Sequence, residues 1–186
     1  MNRSSSFKFV SMSAFTFVAA MIACGCSTAP KSESGREDLR LAAEATIKRM
    51  TLTDPWLNNL LTKSAGYVVF PTVGKGGLIV GGAYGRGEVY EGGQFIGYAD
   101  LSQATVGAQI GGQSFAELIL FENKAAIDTF KQGKLAFSAN ASAVAMKAGA
   151  AESARYTDGV LVFVMPEGGL MLEASIGGQS FSFQPK

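Results

Sequence analysis

The sequence contains no histidine. That absence removes imidazole acid/base catalysis, Ser-His-Asp triads and most zinc and iron sites together. The only cysteines are Cys24 and Cys26, so no disulfide can staple the domain and no thiol site can lie inside it. Stability must come from packing. Charge is also sparse and balanced, with 16 basic and 15 acidic residues in 186. Setting aside Arg3 and Lys8, which fall in the leader described below, leaves a net charge of about −1. A near-neutral chain lacks the basic surface that displaces phosphate counterions, which argues against nucleic acid as a partner. What is plentiful is apolar residues, 47%, and glycine, 23 residues. The first is ample for one packed core.

Residues 1–8 carry Arg3 and Lys8 and no acid, and residues 9–22 form an apolar stretch followed by small residues. The polarity and length are those of a signal peptide, because a membrane-spanning helix needs about 20 apolar residues. Met21-Ile22-Ala23 precede Cys24, and Ala23-Cys24-Gly25 precede Cys26. Both contexts resemble the lipobox, in which a cysteine behind small residues is acylated after cleavage, and both cysteines stay open as the acylation site. The next residue is Gly25 or Ser27 rather than aspartate, which implies sorting to the bacterial outer membrane, facing the periplasm. The expected organisation is a lipoprotein signal peptide over 1–23, a flexible polar tether over 24–35 containing Pro30 and Gly35, and a folded domain over 36–186.

Within the domain, residues 36–50 lack Gly and Pro, place acids early and Lys48 and Arg49 late, and repeat Leu39, Ala42, Thr46 and Met50 at helical spacing. Asp54-Pro55 reads as a cap leading a second short helix with Trp56, Leu57, Leu60 and Leu61. From Gly66 the texture becomes β-rich, in runs separated by glycine pairs. Asn123 is placed to cap a helix that stops at Gly133. Residues 137–146 alternate as a strand, and the segments 159–165, 170–176 and 179–183, separated by glycine-rich turns, read as a closing β-meander. The fold class is therefore α+β, with a curved, largely antiparallel, glycine-rich sheet or barrel-like sheet, N-terminal helices and one inserted helix.

Two local patterns bear on the sheet. Gly81, Ala83, Gly85 and Gly87 leave one strand face nearly bare, so a backbone or an aromatic ring can lie against it. The hexamer IGGQSF occurs at 110–115 and again at 176–181, which fits two equivalent bends better than two ligand-contacting turns.

No motif carries catalysis. Gly74-Lys75-Gly76-Gly77 lacks the order of a Walker loop, and Gly85-Arg86-Gly87 lacks the third glycine and helix of a dinucleotide site. Lys75, beside flexible backbone amides, can still hold an anionic headgroup. Nothing in the spacing singles out a carboxylate pair such as Asp100 and Glu117, or Glu88 and Glu173, and these acids are expected to be solvated. The helix over 36–50 puts Arg36, Arg40 and Lys48 at four-residue spacing, a docking face for an anionic membrane.

Ala65-Gly66-Tyr67-Val68-Val69-Phe70-Pro71, then Gly74-Lys75-Gly76-Gly77 and Val80-Gly81-Gly82, closely resemble the SYLF-domain family. The resemblance continues through Ser102 to Gly112 and from Tyr156 to Gly178. It implies a non-enzymatic binding domain without a cofactor or a metal. The family includes bacterial lipoproteins and eukaryotic proteins that bind phosphoinositides and, in the yeast case, actin filaments. Lipid binding there is associated with a basic N-terminal helix, which corresponds to Arg36, Arg40, Lys48 and Arg49. The expected partner is an anionic phospholipid surface such as phosphatidylglycerol or cardiolipin. The competing expectation is an envelope scaffold that binds another protein and uses lipid only as an anchor.

Overall fold

A computed structural model describes residues 28–77, 80–106, 113–138, 141–167 and 176–186. The leader with Cys24 and Cys26, the first half of the earlier hexamer, Glu173 and most of the expected strand at 170–176 lie outside the described residues.

Helix α1 spans Glu33–Thr53, longer at both ends than expected. Ser32 is its N-cap, its side chain accepting a hydrogen bond from the Gly35 amide at 3.0 Å, which satisfies one of the free amides of the first turn. The buried face is Ala43, Thr46 and Met50, so the inward stripe passes through Ala43 rather than Ala42. The preceding residues depart from the expected tether: Thr28, Ala29 and Pro30 are buried. The Thr28 hydroxyl bonds Ser182, and the Ala29 amide donates to Gln184 Oε1 at 3.0 Å. A polar, proline-containing composition predicted freedom, but these edge-strand partners hold the segment down.

Helix α2, Leu57–Lys63, follows a turn at Asp54-Pro55. Asp54 is fully buried, and its carboxylate accepts from the Trp56 amide at 3.1 Å and from the Ala151 amide at 2.6 Å. One cap residue thus joins the start of α2 to the short helix α4, Ala150–Ser153.

Among the described residues seven strands form one sheet: β1 Gly66–Gly77, β2 Val80–Glu91, β3 Gln94–Val106, β4 Gln113–Phe121, β5 Val144–Ala145, β6 Val160–Glu167 and β7 Gln179–Pro185, in the order β5-β6-β4-β1-β2-β3-β7. All neighbours are antiparallel except the β5/β6 pair. Helix α3, Lys124–Lys131, is capped by Asn123, whose side chain accepts from the Ala126 amide, and is followed by Gly133 at φ 66°, as the sequence predicts.

Side-chain alternation separates two cores. Val68, Phe70, Phe115, Ile119, Phe121, Val162 and Phe181 pack with Ile127 and Phe130 of α3 on one face. Val69, Ala116, Leu118, Leu120, Leu161 and Phe163 pack with α1, α2 and α4 on the other. Strand β4 is buried on both faces from Phe115 to Phe121, which is why its sequence reads as a continuous apolar run. Each fully buried phenylalanine here contributes about 1.5–3 kcal/mol relative to exposure.

The α3 face is concave. Gln179 on the edge strand β7 donates to Glu117 on β4 at 2.9 Å, although three strands lie between them in the sheet. The roll is completed by the chain after α3. Phe137 exchanges backbone bonds with Gln179 and Gly178, and Ile176 donates to Ala141, before Val144–Ala145 pairs with β6. Residues 137–146 are therefore not one continuous strand: their described parts bond the two edges of the sheet. Of the expected closing β-meander, β6 pairs with β4 and β7 pairs with β3 at the far edge, and most of the middle strand lies outside the described residues. Pro166 and Glu167 belong to β6 rather than to a turn.

The bare face of β2 points into the roll. A Cβ on Gly87 would lie 2.4 Å from the Val69 carbonyl oxygen and 2.8 Å from the Phe70 ring, so the aromatic ring expected against these glycines is Phe70. The two hexamer copies play matching parts: Phe115 and Phe181 both enter the concave core near the start of a strand.

Candidate functional site

The basic residues singled out in the sequence do not share one face. On α1, Arg36 and Arg40 lie toward the sheet, where they line a cleft with β2 and β3. Arg36 donates to the Pro30 carbonyl at 3.1 Å, and Arg40 is paired with both Glu37 and Glu44. Arg49 reaches the far end of β6 and bonds Glu167 at 3.1 Å. Lys48 points outward and is exposed. Lys75 is half-buried on β1 opposite Ala83 and Gln113, on the concave side, across the sheet from α1. Four acids, Glu33, Glu37, Asp38 and Glu44, offset the four basic residues of α1, so the helix carries no net charge. Exposed ion pairs of this kind contribute little to stability and leave no strong positive field.

What α1 does present is apolar. Leu41 and Leu52 are 51% and 73% exposed, and Trp56, just beyond the helix, is 51% exposed. Leu41, Ala45, Lys48 and Leu52 recur at helical spacing on the side opposite Ala43 and Met50. This second stripe was legible in the sequence but is masked there by the stronger inward one. Among the described residues no helix is long and apolar enough to cross a membrane.

The carboxylates expected to be solvated are buried instead: Glu117 is 0%, Glu88 2% and Asp100 9% exposed. Asp100 and Glu117 do not form a pair. Asp100 bonds Tyr84 and Arg86 on the convex side of the sheet, whereas Glu117 lies on the concave side. Burial pushes the Glu117 carboxyl up to about 8, with the Gln179 hydrogen bond partly opposing it. Gln103, the β-ladder partner of Gln179, donates to the Gly177 carbonyl at 2.7 Å. One oxygen on each of Gln103, Glu117 and Gln179 has no hydrogen-bond partner among the described residues. At neutral pH the protonated acid is a donor, which lowers the cost of this acceptor-rich cluster.

On the convex side, Glu88 accepts a hydrogen bond from the Tyr90 hydroxyl at 2.6 Å. Burial raises the Glu88 carboxyl above its ordinary range, and the Tyr90 bond and the Arg40 charge pull it back. Tyr90 stacks on Tyr67 at 4.8 Å between ring centres. Beside Glu88 the cleft under the N-terminal half of α1 encloses about 450 Å³.

A rolled sheet with helices on both sides and an outward apolar stripe on α1 defines an α+β domain. Residues 102–185 match the family model of Ysc84, described as "Las17-binding protein actin regulator". That match, over just under half of the chain, agrees with the sequence resemblance to the SYLF family. Beta cell expansion factor A of Aeromonas veronii is 29% identical to it over 155 residues, covering 82% of this chain and 59% of that protein. The chain thus spans under two thirds of the length of this curated relative.

Proposed function

We propose that this chain is a non-enzymatic phospholipid-binding protein of the bacterial envelope, acylated at Cys24 or Cys26 and resting on the periplasmic side of the outer membrane. The observation that carries this reading is the exposed stripe Leu41, Ala45, Lys48 and Leu52, continued by Trp56. Leucine side chains insert below the headgroups, tryptophan favours the interface, and the lysine stem lies along the apolar surface with its charge in water. The packed N-terminus supports the same geometry. Only one or three residues lie between the candidate cysteines and Thr28, a span of at most about 14 Å. An acyl anchor at that distance keeps the domain at the bilayer surface. Because α1 is neutral overall, apolar insertion supplies more of the contact than attraction to anionic lipid does.

The test is co-sedimentation of the unacylated chain from residue 27 onward with phosphatidylglycerol vesicles. Leu41→Ser, Leu52→Ser and Trp56→Ser together are expected to weaken binding by tenfold or more, about 1.4 kcal/mol. Arg36→Gln with Arg40→Gln is expected to change it by less than about threefold. Loss of binding through the arginine pair with the apolar triple unaffected would sink this reading and restore the basic-helix one. Co-purification of one stoichiometric envelope protein, abolished by the same apolar triple, would favour the scaffold.

A further inference from the structure

The cleft beneath α1 has a composition unlike an anion site. Its floor is the buried carboxyl of Glu88, and its wall is built from Tyr90, Phe95 and Tyr98. The Phe95 ring meets Tyr90 at 5.9 Å and 66°, and Tyr98 at 5.2 Å and 69°. Three rings, Phe95 inclined to both of the others, lining one cleft with a carboxyl attract an alkylated cation through ring quadrupoles and a charge that desolvation strengthens. The rim is balanced: Glu33 and Glu37 line it with Arg36, which donates to the Pro30 carbonyl, and Arg40, which is paired with Glu37 and Glu44, so Glu88 leaves the lining one negative charge in excess.

We propose that this cleft is a binding site for an alkylammonium group, held against Tyr90, Phe95 and Tyr98 with Glu88 as its counter-charge. A cation there would also relieve the cost of burying Glu88, whose present partner is the Tyr90 hydroxyl alone among the described side chains that bond it at hydrogen-bond distance. The same chemistry is carried by the headgroups of phosphatidylethanolamine and phosphatidylcholine and by free amines such as choline. Position favours the headgroup: Tyr98 is the ladder partner of Gln184, which holds the Ala29 amide. The cleft therefore lies close to where the chain leads back to the acyl anchor. That last step rests on the acylated-lipoprotein reading; the site itself does not.

Calorimetric titration of the full chain, kept in solution by a sugar-headed detergent, with tetramethylammonium, choline and ethanolamine tests the site. Saturable binding is expected, with 3,3-dimethylbutanol, the uncharged isostere of choline, at least tenfold weaker. Phe95→Leu, which keeps bulk but removes the ring, and Glu88→Gln, which keeps shape but removes the charge, are each expected to weaken tetramethylammonium about tenfold. Thermal unfolding checks that each variant is folded, and the two variants guard against failure of either one. No saturable binding of any ammonium probe, or equal binding of the neutral isostere, overturns the proposal. Repeating the titration in bilayers separates the sources. Weaker tetramethylammonium binding in phosphatidylethanolamine or phosphatidylcholine than in phosphatidylglycerol supports a headgroup in the cleft, and equal binding supports the site with a soluble amine as its ligand. Loss of vesicle binding by the apolar stripe variants bears on the membrane reading only, so the two failures are distinguishable.

Discussion

Replacing Glu117 by glutamine should make this protein more stable at pH 8 and remove much of the pH dependence of its folding. The Glu117 carboxyl rises from an ordinary 4.5 to about 8 because it is buried in the concave core. An acid raised on folding binds its proton more tightly in the native state. Its contribution is therefore fully present below pH 4.5, and declines as the pH rises from there through about 8, where the native state must bury an anion or release the core. The interval is about 3.5 pH units, and at about 1.4 kcal/mol per unit its full extent is about 5 kcal/mol, an upper value because interior relaxation and water entry reduce it. Glutamine keeps the oxygen that accepts from Gln179 Nε2 but carries no proton to lose. Urea unfolding of both proteins at pH 5, 6.5 and 8 measures the difference directly. The wild type should lose several kcal/mol across this range relative to the variant. Glu88 is also raised by burial and acts in the same direction in both proteins, so subtraction isolates Glu117. Parallel stability profiles for the two proteins would refute the reasoning.

Two further predictions concern the frame of the fold. Asp54→Ala leaves the Trp56 and Ala151 amides without their carboxylate at a fully buried position; a loss of about 2–4 kcal/mol in chemical denaturation is expected, and Asp54→Asn should restore part of it. Gly87→Ala places a methyl group 2.4 Å from the Val69 carbonyl oxygen, so the strands must separate; a destabilisation of more than about 2 kcal/mol is expected, with a melting temperature unchanged from wild type as the contrary result.

Local signals in this chain were read at the places where a residue type has only one or two uses. Asn123 and Gly133 bracket α3 because an amide side chain caps an N-terminus and glycine takes the left-handed turn at φ 66°. The apolar run of β4 and the bare face of β2 both announced their surroundings. The strand expected over 137–146 failed for a different reason. Its alternation is real, but Ala136–Phe137 bonds one edge of the sheet and Val144–Ala145 the other, so a single strand is split by the closure of the roll. At the site, four-residue spacing grouped Arg36, Arg40 and Lys48, yet each four-residue step turns a helix by about 40°. Over three steps the arginines reach the cleft while Lys48 faces solvent.

The sequence by itself determined that neither imidazole nor disulfide chemistry operates in the domain, that its elements are α+β, and where most of them begin and end. Those properties depend on residue inventory and on neighbours within one or two turns of chain. Only the tertiary structure decided that β7 faces β4 across the core, that Glu117 and Glu88 are buried rather than solvated, and that Arg36 and Arg40 turn into a cleft beneath α1 while Lys48 faces solvent. Alternation along a strand tells that two faces exist, but which residues come to oppose one another across a rolled sheet is set by curvature and closure. Those are relations between segments more than 60 residues apart, such as Glu117 and Gln179.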